Sequence, residues 1–186
     1  MTVVEAGTLP GYVTGTWDID TTHSEVGFSV RHMMVAKVRG KFTKFSGEVL
    51  TAPNVLDSSV TAEIDLTSFD TGNEQRDGHI RSADFFDAEN HPVMIYRSTG
   101  VRAAEDGYVL DGDLTLKGVT RPVSLNLEVN GFGADAYGGT RAGFTATGEI
   151  SRSDFGISTN MPIEGGGVVI GEKVNITLEI EAVLKG

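Results

Sequence analysis

The side chains with both the type and the spacing for chemistry are few, and they sit at the ends of apolar runs. His32 closes the run Val26, Phe28, Val30, in which every second residue is apolar. That period of two marks a strand with one buried face, and it turns the imidazole toward the interior. A histidine there either hydrogen-bonds a polar group of a ligand or is a core residue satisfied by backbone or a neighbouring strand. Arg152 and Asp154 likewise continue the phase of Phe144, Ala146, Gly148 and Ile150. Two charges at the end of one apolar face predict a buried ion pair or the mouth of a cavity, since burying either charge alone is costly. The arginine could instead grip an anion through its forked guanidinium. His23, beside Ser24 at a turn into the strand, is expected to be structural and to bond turn backbone.

Other candidates fail on spacing. His79, Asp84, Asp87, Glu89 and His91 match no zinc pattern and read as a solvated polar helix. The run "EGGGVVIGEK" has Glu172 where a phosphate-binding loop needs lysine after Gly171, so Gly165, Gly166 and Gly167 read as a flexible loop. Ser24, Ser151 and Ser153 lack the setting of a nucleophile elbow. Asn175-Ile176-Thr177 is a glycosylation sequon by letters only, inside a predicted strand. The absence of cysteine excludes disulfides, thiolate catalysis and cysteine-held metal. No catalytic residue, metal site or cofactor is called for.

The elements that must position His32 and Arg152 are strands. Alternation predicts them at 16–20, 25–32, 37–50, 58–66, 93–101, 108–117, 121–132, 141–153 and 173–184. The phase of the 37–50 run shifts between Phe42 and Phe45, predicting a bulge or bend. Glu105-Asp106-Gly107 and Lys117-Gly118-Val119-Thr120 are hairpin turns by composition. Residues 73–90 break the alternation, with Ile80, Phe85 and Phe86 at helical spacings. Gly78 favours one or two short helices there, with Asn73 as N-cap and Ser82 capping a second turn. Phe85 and Phe86 are expected to cover one barrel end, as fixed core or as a lid.

Several inward faces mix large and small residues: Val38, Gly40, Phe42; Val60, Ala62, Ile64; Tyr108, Leu110, Gly112, Leu114, Leu116; and Ala142, Phe144, Ala146, Gly148, Ile150. Such a sheet is either tightly covered or encloses volume, and in a closed barrel that volume holds a ligand. Eight or nine amphipathic antiparallel strands with one helical excursion predict an all-β barrel with few free edges.

The chain has 186 residues, enough for one domain with a substantial core, and 24 glycines, which suit a turn-rich β fold. Its net charge is −11. At long range a field of that sign repels phosphate backbones and anionic membranes, so nucleic acid is not an expected partner. No apolar run is long enough to span a membrane as a helix. The N-terminus shows no basic-then-apolar export signal, and the chain as it stands reads as cytoplasmic.

Four segments in order carry a resemblance: "GTWDIDTTHSEVGFSVRHMMVAKVRGKFTKFSGEV", "RDGHIRSADFFDAENHPVMIYRS", "LDGDLTLKGVTRPVSLNLEV" and "ATGEISRSDFGI". With "GEKVNITLEIEAVL" they cover nearly everything after Thr14, and together they are similar to the YceI-like, polyisoprenoid-binding family. The resemblance implies a lipocalin-like, eight-stranded antiparallel barrel over residues 15–186, after an N-terminal extension of residues 1–14. It implies an apolar pocket that binds a long-chain isoprenoid, either a polyprenyl diphosphate or an isoprenoid quinone, for carriage or storage, with no enzymatic step. The inward positions and the covering segment then nominate Phe28, Val30, His32, Phe42, Phe45, Phe85, Phe86, Leu114, Phe144, Ala146, Gly148, Arg152, Asp154 and Phe155 as ligand contacts. His32 could bond a quinone carbonyl or a diphosphate. Two other readings stay open. One is an enzyme acting on a lipid head group through His32 and Asp154. The other is a filled barrel serving as a stress-response or interaction protein. A homodimer is compatible with each of them.

Overall fold

The computed structural model describes residues 9–33, 35–158 and 170–185. The glycine run at 165–167 lies outside them. The strands are β1 (Gly15–Ile19), β2 (Glu25–His32), β3 (Ala36–Phe42), β4 (Phe45–Thr51), β5 (Ser59–Asp65), β6 (Phe69–Asp70), β7 (Val93–Ala103), β8 (Tyr108–Leu116), β9 (Val119–Ala134), β10 (Thr140–Ser151) and β11 (Ile170–Leu184). One α-helix, α1 (Glu74–Arg81), stands between β6 and β7. All pairings are antiparallel, and the sheet closes because β11 pairs with β10 on one side and with both β1 and β2 on the other.

These eleven segments make eight barrel strands. β1 and β2 run along one neighbour, β11, as a single strand broken at Asp20–Ser24. β3 and β4 are one strand broken at Thr43 and Lys44, the place where the alternation shifts phase. β5 and β6 are one strand broken by a 3-10 turn over Leu66–Ser68. The last two breaks are joined directly, Thr43 N–H donating to the Ser68 carbonyl (3.3 Å) and Asp65 N–H to the Lys44 carbonyl (2.9 Å). Adjacent interruptions let the sheet turn a corner and close, which leaves little free edge beyond the part of β3 that β6 does not reach. Turn chemistry follows the sequence. Lys117 and Gly118 both have positive φ (53° and 75°), the type I′ geometry that matches strand twist.

The end of β10 departs from expectation. The strand stops at Ser151, and Arg152–Phe155 form a 3-10 turn closed by Gly156 at φ 73°. A period of three replaces the period of two, so residues 152 and 155 share a face and 153 and 154 do not. Arg152 and Phe155 are buried, whereas Asp154 is exposed. The expected Arg152–Asp154 pair is therefore absent.

α1 is capped as expected, with the Asn73 side chain accepting from Arg76 N–H at 3.0 Å. Ser82 ends the helix, its hydroxyl donating to the His79 carbonyl. The helix is pinned from below. Asp77, only 2% exposed, accepts from Thr71 N–H (2.9 Å) and its hydroxyl, and Arg81 donates to the Phe69 carbonyl (3.2 Å).

Outside the barrel, one arginine clasps the closing strands. Arg141 on β10 reaches Asp20 (2.7 Å), Glu181 (2.9 Å) and Asp135 (3.0 Å). His23 Nδ1 sits 2.8 Å from Asp20, so it bonds a carboxylate rather than turn backbone. Asp20, His23 and Glu181 are close enough to resemble metal ligands, but Arg141 already serves as their cation. Arg141 and then His23 hold the Asp20 carboxyl well below the usual range. Asp135 is lowered by the Gly139 and Tyr137 N–H groups and then by Arg141. Depressed carboxyl pKa values stabilise the fold fully above the unfolded value of about 4, and the contribution is lost as pH falls through the folded values. The urea midpoint should therefore drop progressively below about pH 4. Arg141→Met should start lower and fall less steeply, converging on the wild type in acid. Parallel curves at every pH would remove the clasp from the account.

Candidate lipid-binding cavity

The barrel encloses a cavity of about 310 Å³, counted as space open to the centre of a water-sized sphere. Along β11 its wall runs from Ile170 through Val174, Ile176 and Leu178 to Ile180. Ten strand residues at the usual tilt correspond to roughly 25 Å along the barrel axis. The wall is almost wholly carbon, and Arg152 is the only charged residue among the described residues lining it.

Aromatic rings cluster toward each end. At one end, Phe28, Phe42, Phe69 and Phe86 form a cluster with centroid separations between 5.1 and 6.2 Å. Phe86 arrives from the segment after α1, so the helical excursion covers this end. At the other end, Trp17 is fully buried and donates to Thr51 Oγ1 at 2.8 Å. Phe132 meets it edge-on at 5.7 Å, and Tyr12 meets Phe132 at 5.2 Å. Leu9 and Tyr12 both line the cavity from the segment read as an extension. Gly11, at φ 76°, makes that approach possible, because a Cβ there would stand 2.9 Å from the Phe132 carbonyl oxygen.

The polar atoms of the wall turn to backbone. Tyr96 O–H donates to the Val123 carbonyl at 2.9 Å, and burial, reinforced by Asp111 and Asp113, pushes its pKa up. Burial raises Tyr108 as well. Both phenols stay protonated, and among the described residues the lining holds no carboxylate.

Of the nominated contacts, Phe28, Val30, Phe42, Phe45, Phe85, Phe86, Leu114, Phe144, Ala146 and Arg152 line this one cavity. Four do not. His32 is half-buried on the last residue of β2, beyond the lining. Asp154 is on the outer side of the 3-10 turn. Phe155, 1% exposed, is packed into the core behind the wall. Gly148 is covered by Leu125, whose Cδ2 lies 2.6 Å from where a Cβ would stand.

Gly148 illustrates a general correction. Inward glycines do not themselves supply the empty volume. Gly112 lies under the Tyr96 ring and Gly40 under Phe28, with ring atoms 2.5 and 2.4 Å from the missing Cβ positions. Each glycine lets a neighbour's side chain lie flat on the wall instead of projecting into the lumen. The open centre results from these pairs. Leu9, Tyr12, Tyr96 and Ile157 were not nominated from sequence. Tyr12 had one signal, as the only aromatic residue before Trp17.

Arg152 marks the helix-covered end. Its Nη1 donates to the Ile157 carbonyl (2.8 Å), Nε to Gly171 (3.0 Å) and Nη2 to Ile170 (3.3 Å). Burial lowers its pKa, with Glu172 opposing, and a guanidinium remains protonated regardless. These acceptors are backbone carbonyls, and Asp154 is not among them.

A YceI-like domain model matches residues 17–182. The chain belongs to the YceI-like family. It is 39% identical over 145 residues to protein YceI of Escherichia coli (strain UMN026), covering 77% of this chain and 76% of that one. Burkholderia cenocepacia BcnA superposes with a TM-score of 0.76 at 26% identity, covering 88% of this chain and 98% of BcnA. A polyisoprenoid binding domain from Saccharophagus degradans superposes with a TM-score of 0.69, covering 93% of this chain and all of that domain. At 18% identity that likeness concerns the fold. No helix among the described residues is long and apolar enough to cross a membrane. The barrel is apolar inside and charged outside, as at Glu63, Arg97, Asp113 and Glu128, the reverse of a lipid-embedded barrel.

Proposed function

We propose that this YceI-like chain binds a long-chain isoprenoid lipid, a polyprenyl diphosphate or an isoprenoid quinone, and carries or stores it. The observation that supports this is the long, ring-flanked, carbon-lined cavity with a single cation at one end. Each buried methylene is worth ~0.8 kcal/mol, so the tail outweighs any one head-group hydrogen bond. Ordering the tail offsets part of that gain. Affinity therefore follows tail length. The net charge of −11 opposes an anionic head at long range, but screening over ~8 Å leaves the local field to Arg152. An acid–base mechanism through His32 and Asp154 has no support in the geometry, because neither residue lines the cavity.

Native mass spectrometry before and after organic-solvent extraction tests the reading. The protein should lose mass of lipid size, or take up an added polyprenol or quinone with a rise in Tm. Repeated preparations without bound mass, and no Tm response to prenyl compounds or quinones, would end it.

A further inference from the structure

The charge of this acidic chain is unevenly placed. Residues 26–47 contain five of its 15 Lys and Arg and none of its 26 Asp and Glu. Four of the five, Arg31, Lys37, Arg39 and Lys41, are exposed on the outer face of the β2–β3 hairpin. Arg31 lies directly opposite Lys37, and like charges in that position destabilise a sheet. The ion pairs of the described residues run through His23, His79, Arg81, Arg102, Arg141, Lys173 and Lys185, so none of these four takes part. Asp70 stands opposite Lys41, but its carboxylate accepts from Gly72 N–H instead.

The hairpin tip is apolar. Val35 is 86% exposed and Met33 41% exposed. Met33 also holds a positive φ of 54° at a loop position where Gly or Asn would be unstrained. A basic flank with an apolar, strained tip is the chemistry of a membrane interface, where cations meet anionic head groups and the tip enters the acyl boundary. The inner face of the same strands, Phe28, Val30 and Phe42, lines the cavity, and His32 pairs with Ile170, whose carbonyl holds Arg152.

We infer that the β2–β3 hairpin docks the protein onto an anionic lipid bilayer by its basic outer face and apolar tip. The remaining acidic surface is repelled and so orients the molecule, hairpin first. The inference does not require the cavity to be loaded, so it stands or falls apart from the cargo reading.

The test is flotation of the whole chain with vesicles of phosphatidylcholine, with and without one-third phosphatidylglycerol, at about 0.15 M salt. Binding should need the anionic lipid and weaken as salt rises. Each cation is worth about fivefold in partition, so Lys37→Gln with Arg39→Gln and Lys41→Gln should bind about a hundredfold more weakly. Lys37→Gln alone should also raise Tm, because it relieves the repulsion from Arg31. Val35→Asp should weaken vesicle binding without lowering Tm. Equal binding to neutral vesicles, or none to anionic ones, overturns the proposal. So does tight binding to duplex DNA that ignores Val35→Asp, which would mark a polyanion site. Self-association of the neutralised variant, with no vesicle binding by the wild type, would reassign the lysines to protecting the β3 edge.

Discussion

Ala146→Phe should weaken lipid uptake about a hundredfold while leaving the fold nearly as stable as before. Ala146 lies in mid-barrel, paired with Leu127 on β9 and Leu178 on β11, and all three line the cavity. A ring projecting from this position enters space that the tail would occupy. Excluding about four methylenes removes ~3 kcal/mol, about a hundredfold in affinity. In a packed core the same ring would cost ~1–3 kcal/mol of stability through off-rotamer neighbours. The two outcomes separate in paired measurements of urea midpoint and of lipid-induced Tm shift. A destabilised variant whose remaining folded fraction binds as before would show that Ala146 faces packed core.

Arg152→Leu should be strongly destabilising although it replaces a charge with an apolar side chain in the cavity wall. The leucine fills apolar volume but removes the guanidinium that donates to the Ile157, Gly171 and Ile170 carbonyls. An unsatisfied buried carbonyl costs ~1–3 kcal/mol. Water reaches the two partly buried ones, which sets the expected loss near ~3 kcal/mol. The change also unties the 3-10 turn from β11. Asp154→Leu should not rescue it, since Asp154 is exposed and not its partner. Rescue by that second change would restore the ion pair that the strand phase suggested. Arg152→Lys keeps the charge but lacks the fork that spans three carbonyls, so it should recover only part of the stability. On that folded variant, the affinity ratio of a prenyl diphosphate to its prenyl alcohol reports the head group. A ratio near one in both wild type and Arg152→Lys would favour a neutral, quinone-like head.

Alternation of apolar residues was enough to read nine strand runs, the first two of which prove to be one barrel strand, together with the bend between Phe42 and Phe45 and the helical excursion at 73–90. These are local properties, because strand phase and turn chemistry are written in neighbouring residues. It was also enough to point Phe28, Val30, Phe42, Leu114, Phe144 and Ala146 inward. Where the period changed, the reading failed. Continuing a period of two past Ser151 joined Arg152 to Asp154, whereas a three-residue turn places them on opposite sides. The partner of a buried charge is chosen by what lies across the fold, here the carbonyls of β11 and of Ile157. The glycines were misread for the same reason. Whether Gly112 leaves a gap depends on Tyr96, one strand away, and only closure of the sheet lays that ring over it. Closure likewise recruited Tyr12 and Trp17 to one end and Phe86 to the other. Within a strand, neighbouring residues alone show which side chains face inward; which of those meet empty space depends on closure of the barrel, because a cavity is bounded by side chains from distant strands.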